Sequence, residues 1–450
     1  MTMRVTTNSV LKSYRSSLSS SFSKLTKARD TVLTQRNFNS YAEDPASATQ
    51  AFKLRRSFIR TNDQLNNTES VLNKFGTAYQ VLDNISDLAN EANDAVLRAI
   101  NDPTGSGRNA LGQTLLVTAD SMLQLMNSKY GDSFVFAGND GLNVPFSWQQ
   151  EYKKNGDVYV DKYGEPLVHT MTNNVTDAYL ADLQTRNPNA YQSAMASVQA
   201  YAQTDANGDY VVDGDGNYLD AEGKILSFTE ENKITDDYIA GLNDTEKANV
   251  DAIIKRDAAV IKTVLYRGQD ITNGDANLIN HFTNESAFMD IGMGLKDNEL
   301  GELNELSAFN SALCGLNFVG HSTDADGDAQ NLISIVQELG DIFSRCDIDS
   351  GEFAHDEDAA RATELQLKLY DAMGELTSAT TDLSTRASFL NTNAEQLTDA
   401  SVLLNEQIVN IEDCDLADAI TTFSWAQYCY NAALKVGNSV LSESLMDYMK

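Results

Sequence analysis

The sequence predicts a mainly α fold: a long antiparallel helical bundle or coiled coil formed by both terminal regions, with an α+β domain inserted in the middle. Three observations carry this. Leu369, Leu376, Leu383, Leu390, Leu397, Leu404 and Ile411 recur every seventh residue, and Met373, Thr380, Ala387, Ala394, Ser401 and Ile408 sit four further on. This spacing puts one narrow apolar stripe on a helix from Leu365 to Ile411. At about 1.5 Å per residue the helix is ~70 Å long, and it needs a partner stripe of similar length to be stable. Leu11, Leu18, Leu25 and Val32 repeat the seven-residue spacing near the other end. Between them, from Pro145 to about Asn280, the helical period gives way to turns, short strands and short helices.

The elements follow in order. The first helix occupies residues 1–35, where Ser16, Ser17, Ser19, Ser20 and Ser21 lower its propensity, so it needs neighbours to form. Residues 1–44 are therefore a terminal assembly helix, with Leu11, Leu18, Phe22 and Leu25 as candidate interface residues. Asp44-Pro45 reads as N-cap and first residue of a helix carrying Leu65, Thr68, Leu72, Phe75, Tyr79, Leu82 and Ile85. That helix stops at the loop Asp102–Gly107. A third stripe (Leu111, Leu115, Thr118, Met122 and Leu125) leads to the β-prone run Ser133–Asp140, so residues 45–145 form the outgoing half of an inner bundle. Residues 146–285 form the insert. In it, Asn155–Asp161 and Asn207–Asp213 read as similar Asn-Gly hairpins. Helical patterns follow at Thr176–Gln203, broken at Asn187-Pro188, and at Asp236–Tyr266. Residues 286–412 bring the bundle back, with a helix at Asn331–Phe343 before the long one. Leu376, Leu383, Leu390 and Leu397 are expected to pack on Leu65, Leu72, Tyr79 and Leu82. Glu412–Asp415 interrupts the stripe, and residues 413–450 form a second terminal assembly helix bearing Leu416, Ile420, Phe423, Tyr430, Leu434, Leu441 and Tyr448. Leu434, Leu441, Leu445 and Tyr448 are its candidate interface residues. Both termini then lie at the same end of the bundle.

The net charge of −32 and pI of about 4.3 argue against nucleic acid and anionic membrane as partners. Residues 1–60 hold eleven lysines and arginines against three acids, whereas residues 391–450 hold two against nine. Opposite signs fit pairing of the two ends, and equally two solvated faces. No apolar run reaches the ~20 residues of a membrane span, so no membrane insertion is expected. The polar start lacks the apolar core of a cleaved signal, so the expectation is a cytosolic chain or one exported without such a signal. Cys314, Cys346, Cys414 and Cys429 show no metal-ligand spacing and are expected to be small buried residues. His169, His281, His321 and His355 form no H-E-x-x-H pair. Asp205–Asp209, Asp213–Asn217 and Asp324–Asp328 start like EF-hand loops. Tyr210, Tyr218 and Ala329 replace the required glycine, and Gly216, Lys224 and Ile335 the closing glutamate, which leaves turn chemistry as the reading. No catalytic, cofactor-binding or metal residue is assigned, and no enzymatic activity is expected.

Several stretches together resemble the flagellin superfamily, and within it the members found at the junction of hook and filament. Met3-Arg4-Val5-Thr6 resembles the family's start, which makes Met1-Thr2 an upstream extension. Asn39–Pro45 resembles the break after the first terminal helix, and Tyr130–Gly138 the junction members' Phe-x-Phe-(Ala/Gly)-Gly hairpin. Thr385-Arg386-Ala387, the joint Ile411-Glu412-Asp413-Cys414-Asp415-Leu416-Ala417 and the ending Ser444–Met449 complete the set. The match covers about residues 3–146 and 330–449 and leaves out the insert. The resemblance implies a structural subunit exported through the flagellar type III apparatus with the help of a chaperone. It would stand as a homo-oligomeric ring in the extracellular flagellum, with the first hook-associated protein on one side and flagellin on the other. Filament flagellin shares nearly all of this helical grammar. A secreted protein whose insert carries an enzymatic or adhesive activity is the alternative from another class.

Overall fold

The computed structural model describes residues 7–102, 105, 107–294, 296 and 308–448, without the side chains of residues 7, 8, 10 and 439–448. Met3–Thr6 and Met449 of the resemblance lie outside these residues. In chain order the helices begin with α1 (Thr7–Thr34), α2 (Pro45–Asn101) and α3 (Arg108–Met126). Short strands follow: β1 (Lys129–Tyr130), β2 (Ser133–Phe134), β3 (Phe146–Tyr152), β4 (Lys154–Asn155), β5 (Val158–Tyr159) and β6 (Val168–Asn174). Then come α4 (Asp177–Arg186), α5 (Pro188–Tyr201), β7 (Ser227–Lys233), α6 (Asp236–Gly241), α7 (Asp244–Asp257), β8 (Val260–Tyr266) and β9 (Gln269–Asp270). The return consists of α8 (Ala276–Thr283), β10 (Phe288–Met289), β11 (Phe309–Asn310), α9 (Leu316–Val319), α10 (Leu332–Ser344), α11 (Asp358–Glu412) and α12 (Leu416–Tyr448).

The chain divides into two compact units. The first comprises Met1–Tyr79, Ser286–Ala312 and Thr381–Lys450. Asp44 starts α2 as expected, its carboxylate accepting from the Ala46 and Ser47 backbone N–H groups at 3.2 and 3.1 Å. Within this unit α2 and α11 run antiparallel: Arg55 pairs with Glu412, Asn62 with Ser401 and Thr68 with Asn393. Arg386 lies 5.1 Å over the Phe75 ring and 5.5 Å over Phe309, whose ring stacks on Phe389. The buried row of α2 here is Gln64, Thr68, Val71, Phe75 and Ala78, and it meets the buried Leu383 and Leu390 of α11. This corrects the expected register. Leu65 and Leu72 are only half-buried, Tyr79 is 44% exposed, and Leu397 is half-buried. The buried row lies one residue before the expected one, and the Leu65, Leu72 and Tyr79 side chains flank it.

The second unit comprises Gln80–Glu285 and Leu313–Thr380. The α2 stripe continues in it as Leu82, Ile85, Ala89, Ala92, Val96 and Ala99, all buried. It faces the start of α11, where Asn93 bonds Gln366 and Ala362, Leu365, Leu369, Ala372 and Leu376 are buried. α3 packs closely on α10: a Cβ on Gly112 would collide with the Phe343–Ser344 backbone, and one on Gly340 with Leu116. The row of α3 that faces inward is Leu115, Ala119, Met122 and Met126, so Thr118 and Leu125 flank it. The Phe-x-Phe stretch is core, with Val135, Phe136 and Ala137 fully covered and Tyr266 donating to the Phe136 carbonyl at 3.1 Å.

The insert leaves and returns through one strand pair. β3 and β8 are antiparallel in unbroken register from Phe146↔Tyr266 to Tyr152↔Val260. The expected helix to Tyr266 is therefore corrected: α7 stops at Asp257. The β-branched run from Val260 is a strand whose Val264 and Tyr266 point inward. Beyond that pair stand two small cores. One is Val175, Leu180, Leu183, Ala194, Val198 and Tyr218; the other is Leu167, Ile234, Val250 and Ile254. The EF-like loops are Asx turns. Oδ1 of Asp205, Asp213 and Asp324 each accepts from the backbone N–H groups two and four residues on, with Gly208, Gly216 and Gly327 at φ of 89°, 83° and 88°.

Candidate assembly surface

The terminal helices α1 and α12 form one antiparallel pair in the first unit. Tyr14 lies against Gly437, Phe22 against Tyr430 at 5.7 Å, and the Thr31 carbonyl against the Cys414 thiol at 3.8 Å. The seam follows the seven-residue spacing. On α1 the covered positions are Leu11, Tyr14, Leu18, Ser21, Leu25, Ala28 and Val32. On α12 they are Ala419, Phe423, Ala426, Tyr430, Ala433 and Gly437. The approach is close at Gly437, where a Cβ would meet the hydroxyl end of the Tyr14 ring and displace it. The candidate interface residues thus separate. Leu11, Leu18 and Leu25 are half-buried in this seam, while Phe22 is 55% and Leu434 42% exposed on its flanks. Leu441, Leu445 and Tyr448 fall on the α12 backbone, and their side chains lie outside the described residues.

Below the pair the two chain breaks are stitched together. Asn37 N–H donates to the Glu412 carbonyl at 2.8 Å, and Cys414 N–H to the Gln35 carbonyl at 3.1 Å. The Asn37 amide donates to the Ile411 and Asp413 carbonyls at 3.0 and 2.9 Å. Glu412 is buried and takes the Arg55 guanidinium. The sequence marked Glu412–Asp415 as an interruption, and here each residue of the interruption has a bonding role. Beside the joint a groove of about 700 Å³ is bounded by Lys24 and Lys27 of α1, by Asp415 of the joint, and by Asp418 and Trp425 of α12. Lysines of the first terminal segment and carboxylates of the last thus line one groove, and Arg55 pairs with Glu412.

The outward faces of the pair carry large apolar side chains among polar ones. Leu33, Leu416, Ile420, Trp425, Tyr428 and Val436 are all exposed, Trp425 to 68%, and its ring stacks on Tyr428 at 5.8 Å. Trp425 and Tyr428 were not picked out by the seven-residue spacing because they lie outside it. The signal that would have found them is a pair of aromatics three apart on an otherwise polar helix face. Of the cysteines, Cys314 and Cys346 are buried as expected, whereas Cys414 is half-buried and Cys429 is exposed on this pair.

The second unit holds a cavity of about 440 Å³ between β8, α10 and the start of α11. Its wall includes Gln337, Asp341, Arg345 and Asp358. Burial pushes the Asp341 carboxyl up to about 6. Next to it Arg361 and Lys368 clasp Asp328 and hold its carboxyl well below the usual range. Among the described residues no cluster of three or more His, Cys, Asp or Glu side chains is placed to hold a metal ion. No described helix is long and apolar enough to cross a membrane.

No protein-family model and no curated protein sequence matches the chain. Among solved structures it is similar to a putative flagellar hook-associated protein from Vibrio parahaemolyticus, with a TM-score of 0.43 and 10% identity over 82% of this chain and 100% of that one. It is also similar to flagellar hook associated protein-3 from Legionella pneumophila, with a TM-score of 0.35 and 11% identity over 80% of this chain and 98% of that one. A third similar structure is the FlgL protein of Xanthomonas campestris, with a TM-score of 0.28 and 11% identity over 79% of this chain and 99% of that one.

Proposed function

We propose that this chain is a structural subunit of the bacterial flagellum, a hook-associated protein 3 that forms the adaptor ring between hook and filament and assembles through α1 and α12. The observation that carries this reading is the terminal pair itself. Its seam closes within one chain, yet aromatic and aliphatic side chains stay exposed on its outer faces, which is the condition of a surface waiting for neighbours. The stretches at Asn39–Pro45, Tyr130–Gly138 and Ile411–Ala417 support the same reading through their resemblance to junction members. The ring would be a homo-oligomer. It would meet the first hook-associated protein on the hook side and flagellin on the filament side, and leave the cell by chaperone-assisted type III export. Its role is mechanical, and no step of it requires a catalytic group.

A ring differs from a filament in its contacts. A filament stacks one subunit type on itself without limit, through a heterologous, open contact. An adaptor accepts different proteins on its two faces. Seeding separates the two: purified chain is offered to hooks capped by the first hook-associated protein, and to filament fragments, in salt that polymerises flagellin. One added layer on the capped hooks and no long filament from either seed is expected. Long filaments of this chain alone would replace the adaptor by filament flagellin. Deletion of Asn438–Met449 should abolish the added layer and leave the bundle of α2 and α11 folded.

A further inference from the structure

The insert contains the same unit twice. Tyr159, Asp161, Gly164, Leu167, Thr176 and Tyr179 reappear, at one constant offset, as Tyr218, Asp220, Gly223, Leu226, Thr235 and Tyr238. The local structure repeats with them. Asp161 Oδ1 accepts from the Tyr163 and Glu165 N–H groups, and Asp220 Oδ1 from those of Glu222 and Lys224. Thr176 caps α4 through Tyr179 N–H at 3.0 Å, and Thr235 caps α6 through Tyr238 N–H at 3.1 Å. Asn187 caps α5 at 3.2 Å and Asn243 caps α7 at 2.9 Å. The first copy spans residues 153–203 and the second residues 211–259.

The copies face each other across a two-fold axis. β6 and β7 are antiparallel, and the central pair of their ladder is Met171↔Glu230, two residues that are each other's counterparts. The backbone bonds between the copies outward from that point occur twice. Val175 N–H donates to the Leu226 carbonyl and Ile234 N–H to the Leu167 carbonyl, both at 2.9 Å. The Tyr218 hydroxyl donates to Asp177 at 2.6 Å and the Tyr159 hydroxyl to Asp236 at 2.8 Å. The cores are exchanged as well. The helices of the first copy close on Tyr218 of the second, with Leu226 packed beside it, and the helices of the second close on Leu167 of the first, with Tyr159 beside it. Residue i touching j while j's counterpart touches i's is the definition of an isologous interface.

We propose that residues 153–259 are a homodimer folded into one chain, and that each copy is an obligate pairing module whose partner is a second copy of itself. A lone copy cannot close its own core, because the hairpin that completes it is supplied from across the axis. The two copies differ at the axis. Glu230 is buried there, takes Arg186 at 2.8 Å through one oxygen and has no partner for the other. Pairing the second copy with itself would set two buried carboxylates side by side without that arginine. Pairing the first with itself would set Met171 against Met171 and bury no carboxylate at the axis, each Arg186 keeping Asp182 of its own copy as partner at 3.1 Å.

Three variants of the whole chain test this, and none depends on the flagellar reading. In the first, residues 204–259 are removed, so that Gln203 runs into Val260 in the place its counterpart Ala259 occupies. Light scattering at high dilution should give twice the mass of one chain, with the intact protein measured beside it remaining at one. A monomer with native helix content per copy overturns the proposal. In the second, residues 211–259 are replaced by another 153–203. This chain should fold as a monomer with an unfolding midpoint near that of the intact protein, and its failure to reach native helix content by circular dichroism overturns the proposal even where the first variant aggregates. The converse chain, built of two second copies, should be markedly less stable at neutral pH and recover when both central glutamates are changed by E230M.

Discussion

Asp341 is half-buried on α10, and desolvation raises its carboxyl from 3.8 to about 6 against the opposing pull of Gln337, Arg345 and Lys262, with Glu338 adding to the rise. A folded-state pKa above the unfolded one means that the folded chain holds the proton more tightly. The stabilisation is full below the unfolded value and is lost as pH rises through about 6. A shift of this size is worth up to about 3 kcal/mol. Asp341→Asn should therefore match the native chain in urea unfolding at pH 4 and exceed it by about 1–3 kcal/mol at pH 8. A difference independent of pH would remove Asp341 as the titrating group. Gly437 is a second residue with a defined task. Gly437→Val puts a branched side chain into the Tyr14 ring, so the α1–α12 seam should open and seeded addition to capped hooks should fall at least tenfold. The unfolding midpoint of the bundle should not move, because its buried row lies elsewhere. A variant that adds to hooks normally would show the seam to be dispensable.

Among the elements, α2 shows best what its sequence told and hid. That it is a helix, where it starts and that it pairs with α11 were all legible, because Asp44-Pro45 is a start signal and the seven-residue spacing is long. Its register was not. The buried row carries Ala78, Ala89, Ala92 and Ala99, and alanine says little about burial in a sequence because it is common on both faces of a helix. The leucines and Tyr79 beside it drew the assignment a residue away. The register makes a direct prediction: Phe75→Ala should cost about 3–5 kcal/mol and Tyr79→Ala less than about 1 kcal/mol in chemical denaturation. Equal costs would return the seam to the leucine row. The terminal helices repeat the lesson. Their seam was legible at Leu11, Leu18 and Leu25, while the exposed Trp425 and Tyr428 fell outside the period used to find it.

For the whole molecule, the presence of a mixed insert between helical halves was legible from the change of period, but its internal symmetry was not. The conspicuous likeness is between the Asn-Gly hairpins at Asn155–Asp161 and Asn207–Asp213. The true counterparts are offset from it, and they emerge only when the ladder centred on Met171 and Glu230 is seen. The β3–β8 pair ends with Tyr152 opposite Val260, so the insert can be cut away cleanly. Replacing residues 153–259 by Asn-Gly should leave a hairpin, a cooperative unfolding transition for the remainder, and addition to capped hooks. Loss of folding would make the insert part of the core it stands on. The stitched joint between Gln35–Asn37 and Glu412–Cys414 has a consequence of another kind. The chain crosses there twice, in opposite directions, with backbone bonds between the crossings. A pull on the terminal helices stretches both crossings side by side, so the tension is divided between two backbones that are tied to each other. The joint is thereby a two-stranded tether.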